Sequence, residues 1–490
     1  MKTAAAVTPI FCLLSLVACK STNSEANLNT LLSDLITANQ LDGNPLDGAI
    51  PPSIESPLAD LGKRLFFSKS LGGDFNSACA SCHHPVLGGG DALLLPIGVD
   101  AVDDALLGPG RAHLASAPGF DGGPTVPRNS PTTLNVFLWK KSLFWDGRIG
   151  AVNGGINTPD SVGFPQVDGL AGNSLSEAQA RFPITSSEEM RGFAFENGGG
   201  TQDVRNHLAA RLGSYGIGAG EIGENWLPLF RTAFAQPTGT AEQLIIFPNI
   251  VEAIGAYEDS QVFLDTPWKA FVGGQTSAIT ESAKRGAVLF YDQPSAGGFS
   301  CVSCHSGDFF TDEEFHLVGF PQLGRGKGDS VTGSNSHADF GRERVTGLRE
   351  DRYAFRTPSL INVEVTGPWS HDGAFQSLSQ LVRYHMSPET GWQSFNLNAL
   401  PPGTQTVGCV ENTNDVLAEL SSQRASGVTL LPPSLVISDQ QVLDLVAFLE
   451  ALTDPMVLDA AAMEPWIGRN DATFTDSELL EAYDENLNPM

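Results

Sequence analysis

The feature that most constrains this chain is a Cys-x-x-Cys-His motif that occurs twice, each time inside a longer repeated pattern. The first copy is Cys79-Ala-Ser-Cys82-His83 and the second is Cys301-Val-Ser-Cys304-His305. Three further landmarks recur around each copy in the same order: Gly62–Phe66, Pro131–Val136 and Asp146-Gly147 in the first, and Gly286–Phe290, Pro358–Val363 and Asp372-Gly373 in the second. Such ordered self-similarity predicts two copies of one module in tandem.

The motif itself predicts covalent haem. Two cysteines three positions apart can both form thioether bonds to one porphyrin, and the His directly after them reaches the iron as its proximal ligand. A zinc site would need further Cys or His residues at ligand spacing, and only His84 adjoins the first motif. A thioredoxin-like site would need a strand followed by a helix, a context that neither motif has. We therefore expect two c-type haems, one in each module.

Composition excludes several classes of function. The 490 residues carry 56 Asp and Glu against 28 Lys and Arg, a formal net charge of -28. Nucleic-acid binding depends on clustered Lys and Arg, so no nucleic-acid partner is expected. A hydrophobic content of 41% is sufficient for folded cores. An acidic surface favours a cationic partner protein or a small substrate.

The N-terminus predicts export. Residues 1–18 have the charge and apolar run of a signal peptide, and Leu16-Val17-Ala18-Cys19 resembles a bacterial lipobox. This pattern predicts a periplasmic protein anchored to the membrane only through a lipid on Cys19. The alternative is an ordinary signal peptide in which Cys19 is incidental. Residues 19–55 are expected to form a tether, with little structure from Lys20 to Asn44.

The remaining pattern predicts a mainly α fold of two tandem cytochrome c-like domains with long irregular loops. Residues 249–259 and 439–452 place apolar side chains at helical spacing, and Ser438 is a candidate N-cap. The expected domains are 56–275 and 276–455, with their boundary near 273–280, followed by a solvated acidic tail at 456–490. Four segments rich in Gly, Pro and Asn are expected to be loops or insertions: 86–127, 149–174, 322–340 and 391–427. The last contains Cys409, which is expected to be a free thiol.

From about residue 57 to residue 455 the chain resembles the bacterial di-haem cytochrome c peroxidases, a family that includes the MauG-type enzymes. Besides the two haem motifs, the resemblance is carried by six blocks: Leu61–Phe67, Arg128–Thr132, Phe144–Arg148, Gln179–Met190, Phe355–Leu360 and Thr366–Gly373. So many blocks in the family's order make the resemblance specific.

The resemblance implies that the haem at His83 is the peroxidatic one, with Gln179 and Glu189 in its distal pocket. A pocket carboxylate can move a proton between the oxygens of a peroxide, and an amide can orient the peroxide by hydrogen bonding. Without the resemblance, Glu189 beside Glu188 would be interpreted as a surface residue. Trp145 matches the family's Trp between the haems, where it could relay an electron, although a lone Trp is more often a core residue.

The family's sixth ligand to the second haem lies seventeen residues after the Pro of a Thr-x-Pro segment. Counting from Pro368 leads to His385, with Met386 beside it. Neighbours on a helix point about 100° apart, so only one of them can ligate. We favour His385 and keep Met386 as the alternative. Two His ligands would give this haem a lower potential than the family's usual Met ligation.

Two other family features concern ligands near the first haem. Typical members carry a His in the loop that corresponds to Gly98-Val99, where this chain has none. The first haem is therefore expected to be open at rest, with His113 in the enlarged loop as an alternative ligand. The family also binds one calcium ion between its domains, and Asn129, Thr366 and Pro368 match the residues that hold it. The alternative for Asn129 is a turn-forming role.

Together these features predict an oxidoreductase of the cytochrome-c peroxidase type, which reduces hydrogen peroxide to water with electrons from an external donor. A basic cytochrome c or a cupredoxin fits as the donor, and a homodimer is compatible with the sequence. One alternative is a MauG-like oxidase that modifies a partner protein. Another is a non-enzymatic di-haem electron carrier.

Overall fold

The computed structural model describes residues 25–329, 337–429, 431 and 434–490, and in that part the chain is mainly α-helical, as predicted. The helices are α1 Glu25–Ala38, α2 Pro57–Phe67, α3 Leu175–Ala180, α4 Thr201–Gly213, α5 Leu227–Ala233, α6 Ala241–Leu244, α7 Phe247–Asp259, α8 Pro267–Val272, α9 Glu281–Tyr291, α10 Glu343–Thr346, α11 Leu378–Met386, α12 Pro388–Gln393, α13 Cys409–Ser426 and α14 Asp439–Glu450. The strands are β1 Ser142–Leu143, β2 Ile149–Val152, β3 Gly155–Asn157, β4 Phe315–His316 and β5 Phe355–Arg356. The predicted signal peptide and Cys19 lie outside the described residues.

The strands form two small antiparallel sheets, β1-β2-β3 and β4-β5. The hairpin β2-β3 lies inside the segment 149–174, which was expected to be loop throughout. Two predicted helices are confirmed as α7 and α14, and the Ser438 side chain accepts a hydrogen bond from Gln441 N at the start of α14. None of the described helices is both long enough and apolar enough to cross a membrane.

A first hydrophobic core forms where α2 crosses α7. Leu65 and Phe66 of α2 are buried against Ile254 and Tyr257 of α7. The two backbones approach so closely at Gly62 that a Cβ there would lie 1.8 Å from the carbonyl oxygen of Ala253. Only glycine permits such a crossing.

A second core repeats this arrangement where α9 crosses α14. Phe290 of α9 and Phe448 of α14 are buried with their ring centres 5.2 Å apart. A Cβ on Gly286 would lie 1.9 Å from the carbonyl oxygen of Asp444. The sequence repeat therefore extends to equivalent helix crossings, each between the helix that precedes a Cys-x-x-Cys-His motif and a helix that follows it.

The expectation of little structure between Lys20 and Asn44 is wrong for residues 25–38, which form α1. Leu28 and Leu32 of α1 are buried, and Leu32 belongs to the second core. Their four-residue spacing gives the helix an apolar side despite many polar neighbours. The Asp308 carboxylate also accepts hydrogen bonds from the backbone N–H groups of Asp42 and Gly43.

The expectation of a solvated acidic tail is also wrong. Leu480, Ala482 and Met490 are buried and belong to the first core. Leu480 N donates to Phe67 O at 2.9 Å, so the tail pairs with the end of α2. The tail's acidic residues therefore alternate with apolar ones that pack on the molecule.

Along the chain, residues begin to belong to the second core before the predicted domain boundary near 273–280. Trp268 and Phe271 of α8 are buried in the second core because α8 packs beside α9 and α14.

Cys409 was expected in a loop, but it is the first residue of α13. It is buried, and its Sγ lies 3.9 Å from Thr413 Oγ1.

Candidate functional site

The first motif forms a tight helical turn that fixes its His. His83 N donates to Cys79 O at 3.0 Å, and the His83 Nδ1 lies 3.1 Å from Gly89 O. Burial lowers the pKa of His83, while the carbonyls of Gly89 and Pro131 oppose that shift. A neutral ring that donates from Nδ1 presents Nε2 as a free lone pair, the state that a metal ligand requires.

The second motif repeats this geometry. His305 N donates to Cys301 O at 2.9 Å, and the His305 Nδ1 lies 3.2 Å from Phe310 O. Burial lowers the pKa of His305 to about 4, with His385 adding to the effect and the carbonyls of Phe310 and Pro358 opposing it. Pro131 and Pro358 are equivalent landmarks of the repeat, so the two histidines are held by equivalent carbonyls.

A cavity of about 250 Å³ lies at the second motif. Cys301, Cys304 and His305 line it, and so do His385 and Met386 of α11. The His385 Nδ1 lies 3.0 Å from Leu381 O, one helical turn earlier, and burial lowers the pKa of His385. An apolar cavity with two thiols and two neutral imidazoles fits a covalently attached haem.

Glu189 lies in a single wide turn, 187–191, beside the first motif. The Ser186 hydroxyl caps the turn by accepting from Glu189 N, and Ser77 Oγ donates to Glu189 O at 2.9 Å. Burial, and then the carboxylates of Asp91 and Glu189, raise the pKa of the Cys82 thiol. The sequence-predicted Glu189 is therefore within electrostatic reach of the first motif.

Gln179, the other residue predicted for this pocket, lies in a different element. It is half-buried in the last turn of α3, and its side-chain amide makes no hydrogen bond to any described residue. Met190, next to Glu189, is buried with its Sδ 3.8 Å from Cys79 Sγ. The structure thus brings the 187–191 turn to the first motif, and leaves the amide of Gln179 available for a ligand.

Trp145 links the two repeats. Its Nε1 donates to Asn129 O at 2.9 Å, and its carbonyl accepts from Arg356 N at 2.9 Å. Trp145 also lines the cavity at the second motif. This position is compatible with a relay between two haems.

The residues that match the family's calcium ligands, Asn129, Thr366 and Pro368, all lie on the wall of the same cavity. The Asn129 amide nitrogen donates to Leu93 O at 3.0 Å and to Leu94 O at 3.3 Å, which leaves its side-chain oxygen as a potential hard ligand. All three residues carry oxygens of the kind that calcium prefers.

The loop at Gly98-Val99 packs directly on the 187–191 turn. Val99 N donates to Glu188 O at 3.2 Å, and a Cβ on Gly98 would lie 2.4 Å from that oxygen. His113 is buried in the enlarged loop: its ring stacks on Phe120 with the ring centres 5.4 Å apart, its Nδ1 is 3.2 Å from Leu114 O, and its buried Nε2 makes no hydrogen bond to a described residue.

Two charged residues near the first motif have no distinguishing signal in the sequence. Arg111 is buried and donates to five carbonyls, including those of Ile97 and Gly98. Asp91 is buried, and desolvation raises its pKa to about 7 although Leu93 N and Arg111 favour its charge. Asp91 raises the pKa of the Cys82 thiol and Arg111 lowers it. Only the folded backbone brings them there.

His316 also lies beside the second motif, although its sequence pattern suggests no role. His316 Nε2 is 2.7 Å from Asp312 Oδ2, and with Cys304 these side chains lie close enough to hold a metal ion. Thioether attachment would consume the Cys304 thiol, so this group does not compete with the haem assignment.

Comparisons with known proteins agree with this geometry. Residues 56–277 match the family model described as di-haem cytochrome c peroxidase. The chain is 29% identical over 343 residues to the methylamine utilization protein MauG of Methylophilus methylotrophus, covering 69% of this chain and 76% of that protein. It is 27% identical over 334 residues to the cytochrome c551 peroxidase of Pseudomonas aeruginosa, covering 68% and 73% respectively. The crystal structure of a MauG-like protein associated with microbial copper homeostasis has a TM-score of 0.55 at 21% identity, covering 86% of this chain and 98% of that one.

Proposed function

Since the chain belongs to the di-haem cytochrome c peroxidase family, as its motifs predicted, we propose that it reduces hydrogen peroxide to water with electrons from an external donor. Each turnover would consume one peroxide, two electrons and two protons and release two waters. The two motifs would form two cytochrome c-like domains, each holding one haem through its two cysteines and its His. The haems would supply the redox chemistry, and the chain's own residues would supply ligands, protons and orientation.

The observation that carries this proposal is the difference between the two otherwise equivalent sites. At the second site His305 and His385 line one cavity, whereas at the first the 187–191 turn places the Glu189 carboxylate close enough to Cys82 to raise the pKa of its thiol. A site with two His ligands suits electron transfer, and a site with one His and a nearby carboxylate suits binding of a small oxidant.

Glu189 is proposed to hold and return the proton that must move between the two peroxide oxygens. The Ser186 and Ser77 hydroxyls bond the backbone N–H and C=O of Glu189, which fixes this residue beside the first motif. Gln179 is proposed to orient the peroxide through its amide, and Trp145 to carry electrons between the sites. These roles rest on the match to the family's motifs and on the contacts described above.

The wider assignments follow from the same proposal. His385 is the proposed sixth ligand of the second site, and a calcium ion held by Asn129, Thr366 and Pro368 would brace the junction of the two repeats. The protein would act in the periplasm, anchored through Cys19. Its electron donor would be a basic cytochrome c or a cupredoxin, because opposite charge speeds encounter with so acidic a protein.

The direct test is peroxide-dependent oxidation of an artificial or protein donor by the holoenzyme. Glu189→Gln should lower kcat on the order of 10²–10⁴-fold, the range typical of a lost general acid–base, while leaving both haems in place. Glu188→Gln is the matched control, since it removes the neighbouring charge from the same turn. Full activity of Glu189→Gln, or equal losses in both variants, would contradict the role of Glu189.

A second candidate function is a MauG-like oxidase acting on a partner protein, favoured by the similarity to MauG. Peroxide-dependent oxidation of Trp or Tyr in a co-purifying protein, with little turnover of small donors, would support it. Low-spin, six-coordinate iron at both sites would instead indicate an electron carrier.

A further inference from the structure

Arg356 is a buried cation at the wall of the cavity described above. It lies in β5, and its guanidinium carbon is 3.4 Å from the centre of the Trp139 ring. Its Nε donates to Phe144 O at 3.2 Å, and its backbone N–H donates to Trp145 O. The side chain is therefore held in one orientation by a ring and a carbonyl.

In the part of the chain that the structure describes, this guanidinium makes no ion pair with a carboxylate. Its Nη1 is buried without a hydrogen-bond partner among the described residues. Glu313 is the carboxylate that favours its charge, but Glu313 Oε2 accepts the backbone N–H groups of Lys140 and Lys141 at 2.9 and 2.8 Å. Burial lowers the pKa of Arg356 to about 9, the reverse of what a close ion pair produces.

Arg128, another buried arginine that contacts Phe355, is paired with carboxylates. Its Nε and Nη2 donate to both oxygens of Asp339 at 2.6 and 2.8 Å, and its Nη1 lies 2.6 Å from Asp146. Burying a charge without such partners is costly. The Nη1 of Arg356, which has no hydrogen-bond partner among the described residues and no ion pair, is therefore available to bind an anion in the cavity.

We propose that Arg356 binds a carboxylate inside the cavity, and that this carboxylate is a propionate of the porphyrin attached at Cys301 and Cys304. The planar donor fork of arginine matches a carboxylate, and Arg356 lines the same cavity as both cysteines and His305. The inference rests on the proposed haem at the second motif. It makes Arg356 a positioning residue, which orients this porphyrin and keeps a positive charge near its iron.

A nearby positive charge stabilises the reduced iron, so Arg356 should raise the potential of the second site. Through its backbone bond to Trp145 O, the same residue also connects the porphyrin edge to the proposed relay. Loss of the guanidinium should lower the potential of the second site and leave that of the first nearly unchanged.

The test is spectroelectrochemical titration of the holoenzyme in Arg356→Gln, Arg356→Lys and Arg349→Gln. Arg349 is the control because it lies on the same segment, is largely exposed, and pairs with Glu419 on the surface. We expect a lower midpoint potential at the second site in Arg356→Gln, an intermediate value in Arg356→Lys, and the wild-type value in Arg349→Gln. The propionate bending bands in resonance Raman spectra should shift in the two Arg356 variants only.

Each outcome has a distinct meaning. The inference would be overturned if Arg356→Gln left the potential of the second site and the Raman bands unchanged. It would also be overturned if added acetate changed the potential of the second site in the wild-type protein, because the ligand would then be a free carboxylate. Haem content by alkaline pyridine assay separates this result from the proposed function. One haem per chain would contradict the haem assignment itself, whereas two haems with unchanged potentials would contradict only the role of Arg356. If Arg356→Gln does not accumulate, the comparison of Arg356→Lys with wild type decides.

Discussion

His385 and Met386 illustrate how a single residue's surroundings distinguish two candidate ligands. Both line the cavity, but the His385 ring is fixed by Leu381 O while Met386 packs against the second core and its carbonyl accepts from Leu435 N at 2.8 Å. We expect His385→Ala to convert the second haem from low-spin to high-spin and Met386→Leu to leave it low-spin, by electron paramagnetic resonance. The opposite pattern would identify Met386 as the ligand.

Asp91 should make stability depend on pH. Burial raises its pKa from 3.8 to about 7, so in this interval the folded protein keeps a proton that the unfolded chain has released. The free energy of unfolding should therefore fall as the pH rises from about 4 to 7. Asp91→Asn should flatten this decline in denaturant titrations at several pH values. Asp34→Asn, on the exposed side of α1, is the control, and equal slopes in wild type and Asp91→Asn would contradict the prediction.

At the residue scale, the sequence allows a specific prediction where chemistry demands fixed spacing. The haem motifs could be predicted from the sequence alone, because the two thioether cysteines and the His ligand must lie at fixed spacing within one short segment. Asp91, Arg111 and Arg356 could not be found in the same way. Their importance depends on burial and on which charges lie nearby, and both are properties of the folded chain.

At the scale of elements, the two helix crossings leave no room for a side chain at the glycine where the backbones meet. Ala at Gly62 or Gly286 would place a Cβ within 1.8 or 1.9 Å of a carbonyl oxygen of the facing helix. We expect Gly62→Ala and Gly286→Ala each to destabilise the fold by about 1–3 kcal/mol, because the helices must separate.

The measurement is the midpoint of denaturant unfolding. Gly223→Ala is the control, since a Cβ there meets nothing within 4 Å. Midpoints for Gly62→Ala and Gly286→Ala that equal the control would show that the helices can move apart at little cost.

Elements with strong periodicity or a clear cap could be predicted, and α14 with its Ser438 cap is the best case. Helix α1 could not, because its polar composition resembles a tether and its helical conformation depends on burying Leu32 in the second core. The tail residues Leu480 and Met490 show the same limit. Tertiary packing, rather than local preference, orders these segments.

At the scale of the whole molecule, the tail should stabilise the first core. Leu480 and Met490 are both buried there, and complete burial of such a side chain contributes about 1.5–3 kcal/mol. Truncation after residue 476 should lower the temperature at which the first haem's absorbance changes on heating, and affect the second haem less. Leu487→Ser is the control, because Leu487 is 74% exposed in the same tail. Equal shifts at both haems would contradict a local role for the tail.

The packing of α1 on the second core and of the acidic tail on the first core has a consequence for folding kinetics. Leu32 completes a core built mainly from residues 264–452, and Met490 completes a core built mainly from residues 61–257. Contacts so distant in sequence form late, because long loops must close first. The first half is therefore synthesised before the residues that finish its core exist, and its core reaches its final stability only after the second half has been made.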